Sequence, residues 1–345
     1  MLRGTIRRRP TAECLVDQHA PDHDFLPTAS WENLRLRADL LARTRAFFDR
    51  HAFLEVETPL LSADVVVDRY LDPLSLVLPH DPRRPEVGRT LWLQTSPEFG
   101  MKRLMAAGGQ AIYQITRAFR AGEAGQRHNP EFTIVEWYRR GDTMADGMQC
   151  LSDLAETLLG LGPAERISYA EAFQRHAAID PHQATREELA DLARRRGLTM
   201  SESLATGERD DLLNLLLAQL VEPRLGQDRP TILHGYPASQ AALARVCGSP
   251  PVAQRFELYV RGVELANGYH ELTDPDELRR RNRVANEQRA ADGKPRLPEQ
   301  SRLLAAMEHG LPDCTGVALG FDRAVMLAAG AASLAEVMAF PIDRA

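Results

Sequence analysis

Two periodicities alternate along the chain, and their order outlines a fold. Ser30 can cap a helix with Glu32 in its first turn, and Leu36, Leu40, Leu41, Phe47 and Phe48 recur at helical spacing to about Arg50. FLEVETPLLS (53–62) then alternates as a strand and stops at Pro59. A proline suits a strand end or sheet edge, not a central ladder, so this piece is expected at a boundary or interface. RTLWLQTS (89–96) reads as a strand feeding a helix that begins at Pro97. AIYQITRAFR (111–120) and FTIVEWYRR (132–140) read as antiparallel strands joined by the loop 121–131. Residues from about 145 to 230 are mostly of helical pattern, and RFELYVRGVELANGYHELTD (255–274) returns to strand character. A charged helix over about 275–292 and a Pro-bearing connection lead to GVALGFDRAVMLAAG (316–330), a glycine-spaced turn opening into a helix. Strands, a block of helices, then strands again predict an α+β domain around a largely antiparallel sheet, with 145–230 as a mainly helical insertion on its edge. Residues 1–29, with Pro10, Pro21 and Pro27 and little periodicity, read as a loosely held tail.

Composition narrows the picture a little. With 44% hydrophobic residues in 345, a sizeable core is available. The formal charge of −6 argues against a general nucleic-acid binder, though not against a local basic patch. Cys14, Cys150, Cys247 and Cys314 are scattered without a CxxC pair, which fits a reducing, cytoplasmic setting. LLNLLLAQLV (212–221) is the strongest apolar run; it is short and holds Asn214 and Gln219, so it reads as a buried helix, and no membrane association is expected. MLRGTIRRRP carries four arginines with no apolar stretch behind them, unlike a secretory signal.

Candidate chemistry comes from faces. On 132–140, Thr133, Val135 and Trp137 make a plain core face, while Phe132, Ile134, Glu136 and Tyr138 put a ring, a carboxylate and a phenol in a row. Glu257 and Glu264 flank Val260-Arg261-Gly262; a turn there would set the two carboxylates opposite each other, with Cβ atoms roughly 5 Å apart, a pairing that a Mg²⁺ ion would relieve. The bland alternative is an exposed pair splayed into water. Asn267, Tyr269 and Glu271 share parity in ELANGYHEL, and with Glu98 and Glu136 they could supply acceptors to an ammonium. Glu98 also has a plain role as first-turn acid of the helix opening at TSPE. In RHNPEF, Arg127, His128 and Asn129 are donors and Phe132 offers a flat surface to a base. Gly316 and Gly320 mark a close backbone approach, and Arg323 lies in the first turn of the helix that follows. With Arg120, this reads as a nucleotide-activating site.

Taken together, FLEVETPLL, TRAFRAGEAGQRHNPEF and GVALGFDR resemble the three signature motifs of class II aminoacyl-tRNA synthetases, with RHNPEFT, EWY and ELANGYHEL closest to the lysine-specific branch. The resemblance covers roughly residues 30–345, the catalytic domain alone. Only about 29 residues precede it, too few for the anticodon-binding OB domain of a lysyl-tRNA synthetase. PASQAALA (237–244), LPDCTGVALG (311–320) and SLAEVMAFPIDRA (333–345) make the chain similar to the synthetase paralogues that modify elongation factor P, the elongation factor P–(R)-β-lysine ligase family.

That resemblance implies ATP as co-substrate, Mg²⁺, an aminoacyl-adenylate of (R)-β-lysine, and transfer to a lysine ε-amine of elongation factor P by a cytoplasmic homodimer without stable tRNA binding. It implies Arg120 at the α-phosphate, Arg323 at the terminal phosphates and His128 at the triphosphate. Phe132 would stack on adenine and Asn129 contact it, with Leu265 and Gly320 completing the ATP set. Glu257 and Glu264 would hold the metal. Ser96, Pro97, Glu98, Glu136, Tyr138, Asn267, Tyr269 and Glu271 would surround the substrate amines. Three departures stand out: Gly122 replaces the second motif's usual acid, leaving Glu123 beside it, Ala318 replaces the third motif's middle glycine, and Ala52 replaces a glycine of the first. The extra methyl of Ala318 would reshape the wall beside the substrate and disfavour α-lysine. The rival readings are a truncated tRNA-charging enzyme and a catalytically silent regulator.

Overall fold

In the computed structural model the described residues are 25–201, 204 and 207–345. The tail expected over 1–29 therefore lies mostly outside them. Within its described end, Thr28 donates its backbone N–H to the Ala339 carbonyl (3.0 Å) and its hydroxyl to the Ala335 carbonyl (2.7 Å), tying this stretch to the C-terminal segment.

Helix α1 (Trp31–Arg50) starts where Ser30 accepts the Asn33 N–H, and it buries Leu40, Phe47 and Phe48. The expected 53–62 strand is instead two short pieces, β1 (Leu54–Glu55) and β2 (Leu61–Ser62), which join different sheets. Pro59 sits between them, and the chain changes sheet there. β2, β3 (Ser75–Pro79) and β4 (Gly88–Leu93) form a small three-stranded sheet, after which α2 (Glu98–Ala106) begins with Pro97 as its N-cap, one position before the place expected for it. β5 (Ala111–Phe119) and β6 (Glu131–Arg140) pair antiparallel as predicted, and α3 (Met144–Leu159) follows.

The helical stretch expected over 145–230 divides. α3 joins the main core through Met148, Leu151 and Leu154. From β7 (Glu165–Ser168) onward, α4 (Tyr169–Ala177), α5 (Arg186–Arg195) and α6 (Arg209–Leu216) enclose a second core with Phe173, Leu189, Leu213 and Val221. Of the apolar run 212–221, Leu212, Leu213, Leu216, Leu217 and Val221 are buried there, while Asn214 and Gln219 are exposed.

β8 (Thr231–Pro237), β9 (Val246–Cys247), β10 (Val252–Val260) and β11 (Val263–His270) return the chain to the main sheet; α7 (Pro275–Ala291) and α8 (Arg302–Gly310) lead to β12 (Cys314–Gly320) and α9 (Phe321–Ala328). The sheet runs β1-β5-β6-β12-β11-β10-β8-β7, with β9 beside β10. Only the outer pairs, β1 with β5 and β7 with β8, are parallel, so the largely antiparallel α+β expectation holds. One face carries α1, α3 and α9 over Val135, Trp137, Val317 and Leu319. The other carries α2 and α8 over Ile112, Tyr138 and Cys314, and leaves the rest of that face open as a cleft. Among the described residues no helix is long and apolar enough to cross a membrane.

Candidate active site

The cleft has a volume of about 820 Å³ and runs over β6, β12 and β11, roofed by residues 66–71 and walled by α6, α7 and the 238–243 loop. The roof is held from below by Arg289, 1% exposed, which donates to the Asp68 and Leu71 carbonyls (2.9 and 3.0 Å) and pairs with Asp72.

One end is cationic. Arg120 leaves the end of β5, donates to the Thr95 carbonyl (3.3 Å) and lies over the Phe132 ring at 4.9 Å, with Glu123 at 3.8 Å. Arg323 comes from the first turn of α9. That turn is fixed because Asp322, buried, accepts the Thr133 N–H (2.7 Å) where the β6 ladder ends, and pairs with Arg37 (2.6 Å). Arg323 donates to the carbonyls of Arg127 (3.1 Å) and Glu264 (2.8 Å), and its third nitrogen lies 2.6 Å from His128 Nε2. A guanidinium can only donate, so His128 Nε2 accepts and the imidazole is the neutral Nδ1–H tautomer. Burial, then Arg323, hold its pKa below the usual histidine value, which agrees.

Asn129 departs from expectation. Its amide donates to the Glu131 carbonyl (2.6 Å) and its oxygen accepts the Ile342 N–H (2.9 Å), so it clamps the C-terminal segment against the cleft wall.

The hairpin departs as well. Arg261 and Gly262 both take positive φ (52° and 70°), a two-residue turn of the type that suits a twisted ladder, as the glycine predicts. A bulge between Leu258 and Tyr259 then shifts the register. Glu257 faces Asn267 and Glu264 faces Tyr259, so the two glutamates are not opposed. Glu257 lies outside the cleft lining. It accepts from Arg255 (2.5 Å) and from the hydroxyls of Tyr236 and Tyr259 (2.5 and 2.6 Å). Glu264 does line the cleft with 43% of its side chain exposed, and partial desolvation, then the nearby Glu257 charge, raise its pKa to about 7. A cation would relieve that repulsion, so Glu264, with the one remaining lone pair on Glu257 Oε1, fits a hard metal ion shared with phosphate oxygens. Among the described residues no group of three or more acidic, histidine or cysteine side chains could hold a metal by itself.

The other end of the cleft is acidic and buried. Ser96 accepts the Glu98 N–H (3.0 Å) and donates to Glu136 (2.6 Å), which also accepts from Tyr138 (2.6 Å). Burial first, then Glu98, raise the Glu136 pKa to about 7. Glu98 and Glu271 are joined by Lys102, whose ammonium lies 2.6 Å from Glu271 Oε2 and hydrogen-bonds Glu98. Glu271 Oε1 and Asn267 Oδ1 are buried acceptors without a hydrogen-bond partner, which suits a ligand that brings only donors. Gly316 makes this end possible: a Cβ there would stand 2.2 Å from the Tyr138 ring and 2.4 Å from Glu271 Oε1. Gly320 is different, since an added Cβ would meet only ordinary contacts near 3.7 Å. Ala318 lines the cleft between the registers of Asn267 and Glu136.

The structure thus gathers Arg120, Glu123, His128, Asn129, Phe132, Glu264, Leu265, Gly320 and Arg323 at one end of the lining, and Ser96, Glu98, Glu136, Tyr138, Asn267, Tyr269, Glu271 and Ala318 at the other; Pro97 and Glu257 stand behind it. Sequence reasoning passed over Lys102 and Arg255. Both left a signal, for Lys102 follows Glu98 by one helical turn and Arg255 shares a strand face with Glu257.

The family description "tRNA synthetases class II (D, K and N)" matches residues 24–344. A protein of Klebsiella pneumoniae subsp. pneumoniae named elongation factor P–(R)-β-lysine ligase is 48% identical over 325 residues, 92% of this chain and 98% of its own length. A protein of the same name from Salmonella paratyphi B is 48% identical over 323 residues, again 92% and 98%. The chain belongs to the class II aminoacyl-tRNA synthetase family, in the branch of the aspartate, lysine and asparagine enzymes, and within it to the elongation factor P–(R)-β-lysine ligases.

Proposed function

We propose that the chain is an ATP-dependent ligase that activates (R)-β-lysine as its adenylate and joins it to a lysine ε-amine of translation elongation factor P. The observation that carries this reading is a cleft with paired arginines at one end and buried carboxylates at the other, in a chain 48% identical to proteins of that name. The substrate carboxylate attacks the α-phosphorus of ATP and pyrophosphate leaves. The ε-amine of the acceptor then attacks the acyl carbon, loses a proton, and AMP departs as the amide forms. No protein nucleophile is needed, so catalysis rests on alignment and charge stabilisation.

Arg120 spreads its planar fork toward the α-phosphate, with Phe132 beneath it as a surface for adenine. Arg323 and the free Nδ1–H of His128 face the departing phosphates. Glu264 would hold Mg²⁺, with Glu257 as a weaker second donor, and the ion would neutralise charge on the leaving group. Glu98, Glu136, Glu271, Asn267 and Tyr138 receive the two amines. Near β1 and the small sheet, Leu54 (65% exposed), Leu61, Leu76, Val77 and Leu78 are exposed apolar side chains, which supports a homodimer that buries part of this surface. Acting on a translation factor, the enzyme works in the cytoplasm.

The test is to incubate the chain with ATP and each lysine isomer, then weigh elongation factor P and bulk tRNA. A lysyl-mass adduct on the factor with β-lysine is expected. An adduct on tRNA alone would make the chain a tRNA-charging enzyme, and no adduct with no pyrophosphate exchange would make it a silent regulator.

A further inference from the structure

We propose that Lys102 is a positioning residue of the amine pocket: set behind the cleft wall between Glu98 and Glu271, its ammonium orients both carboxylates and leaves the pocket two uncompensated negative charges, the number a diamino acid matches as a dication. The inference rests on the ligase reading above and deepens it.

The side chain of Lys102 is 2% exposed and stands outside the cleft lining, whereas both of its carboxylate partners line the cleft. It is therefore structure and not a stand-in for a ligand. It cannot move aside easily, because α2 is packed through Phe99, Met101 and Met105 into the core shared with α8. Burial opposes its charge, but Glu271 and Glu98 outweigh that and hold it protonated.

Three carboxylates, Glu98, Glu136 and Glu271, face this end, all at most 8% exposed. Arg255, which lines the cleft beside β11, is already paired with Glu257. Lys102 thus cancels one charge of three. Without it, Glu98 and Glu271 would be unscreened like charges in a dry site, and one of them would take up a proton. A protonated carboxyl is a poor acceptor for an ammonium. The other titratable groups facing Lys102 are Glu136 and Tyr138 on β6 and Cys314 on β12, and none of them supplies a replacement cation.

The experiment is ATP–pyrophosphate exchange driven by a diamino acid, with Lys102→Met and the double variant Glu98→Gln/Lys102→Met. Lys102→Met should raise the KM of the diamino acid by at least ~30-fold while moving that of ATP by less than about threefold, and should move the pH midpoint of amine binding upward. The double variant removes Lys102 with one of its two carboxylate partners and restores two net charges, at the loss of Glu98 as an amine acceptor; its diamino acid KM should fall at least about threefold below that of the single variant, with the pH midpoint moved back toward the parent's. It leaves one buried carboxylate, Glu271, without a cation where the single variant leaves two, so it is the milder change, and it tests the proposal even where the single variant does not fold. A single variant with unchanged KM and pH profile, equal losses for ATP and amine, or a double variant no better than the single one would overturn the role of Lys102. Absence of exchange in the parent chain with every diamino acid would instead overturn the ligase reading.

Discussion

The two ends of the cleft are built on opposite plans. At the amine end Glu98, Glu136 and Glu271 are all but fully buried, and each is held by a neighbour: Ser96, Tyr138 or Lys102. At the phosphate end Arg120 and Arg323 keep about a quarter of their side-chain surface (27% and 21%) and lean mostly on backbone carbonyls. A carbonyl is a weak partner for a guanidinium and gives way to phosphate oxygens; a buried carboxylate network does not rearrange cheaply. The amine end therefore selects by a fixed shape and charge, and the phosphate end adapts to what arrives.

The comparison breaks most visibly at the arginines. Arg120→Ala or Arg323→Ala should lower ATP–pyrophosphate exchange by about 10²–10³-fold, and near-normal exchange in both would remove the phosphate end from the chemistry. Glu271→Gln acts at the other end alone: we expect about a 30-fold weaker KM for the diamino acid and less than about threefold for ATP, read in the same assay. Equal losses would mean that the two ends are not separate. Amine affinity should also depend on pH. Glu136 and Glu271 bind an ammonium only when ionised, and burial raises their pKa values to about 7 and about 8, which leaves both mostly protonated at pH 6. Affinity should climb by at least about tenfold between pH 6 and pH 8 and go on rising above pH 8 as Glu271 ionises, measured by calorimetry without ATP; a flat profile would show both carboxylates ionised throughout. The smallest effect belongs to Ala318→Gly, which removes one methyl from the wall and should shift the β-lysine to α-lysine preference by about 10-fold or less, as competition between the isomers would report.

Much of this was legible in the chain. Parity on 132–140 separated Trp137 from Tyr138, and the structure puts them on opposite faces of the sheet in different cores. Gly262 marked the hairpin turn, and Gly316 marked a real close approach. What escaped were relations set by distant elements. The bulge after Leu258 follows from how β10 pairs with two neighbours, so the opposition of Glu257 and Glu264 could not be read from their spacing. Tyr236, which helps to occupy Glu257, comes from β8 on the far side of the helical block. FLEVETPLLS alternates as one strand would, yet β1 and β2 serve two sheets because their partner strands lie 58 and about 30 positions downstream. Lys102 was readable as an (i, i+4) partner of Glu98, but its second carboxylate was not.

The Asn129 amide has one more implication. Its oxygen is spent on Ile342, and Leu334 donates to the neighbouring Gln126 carbonyl, so the last stretch of polypeptide serves as a buttress for the cationic end of the cleft. A fusion joined after Ala345 emerges three residues from that buttress. Thr28 is tied to the same stretch through the Ala335 and Ala339 carbonyls, so a tag at either end pulls on one shared brace.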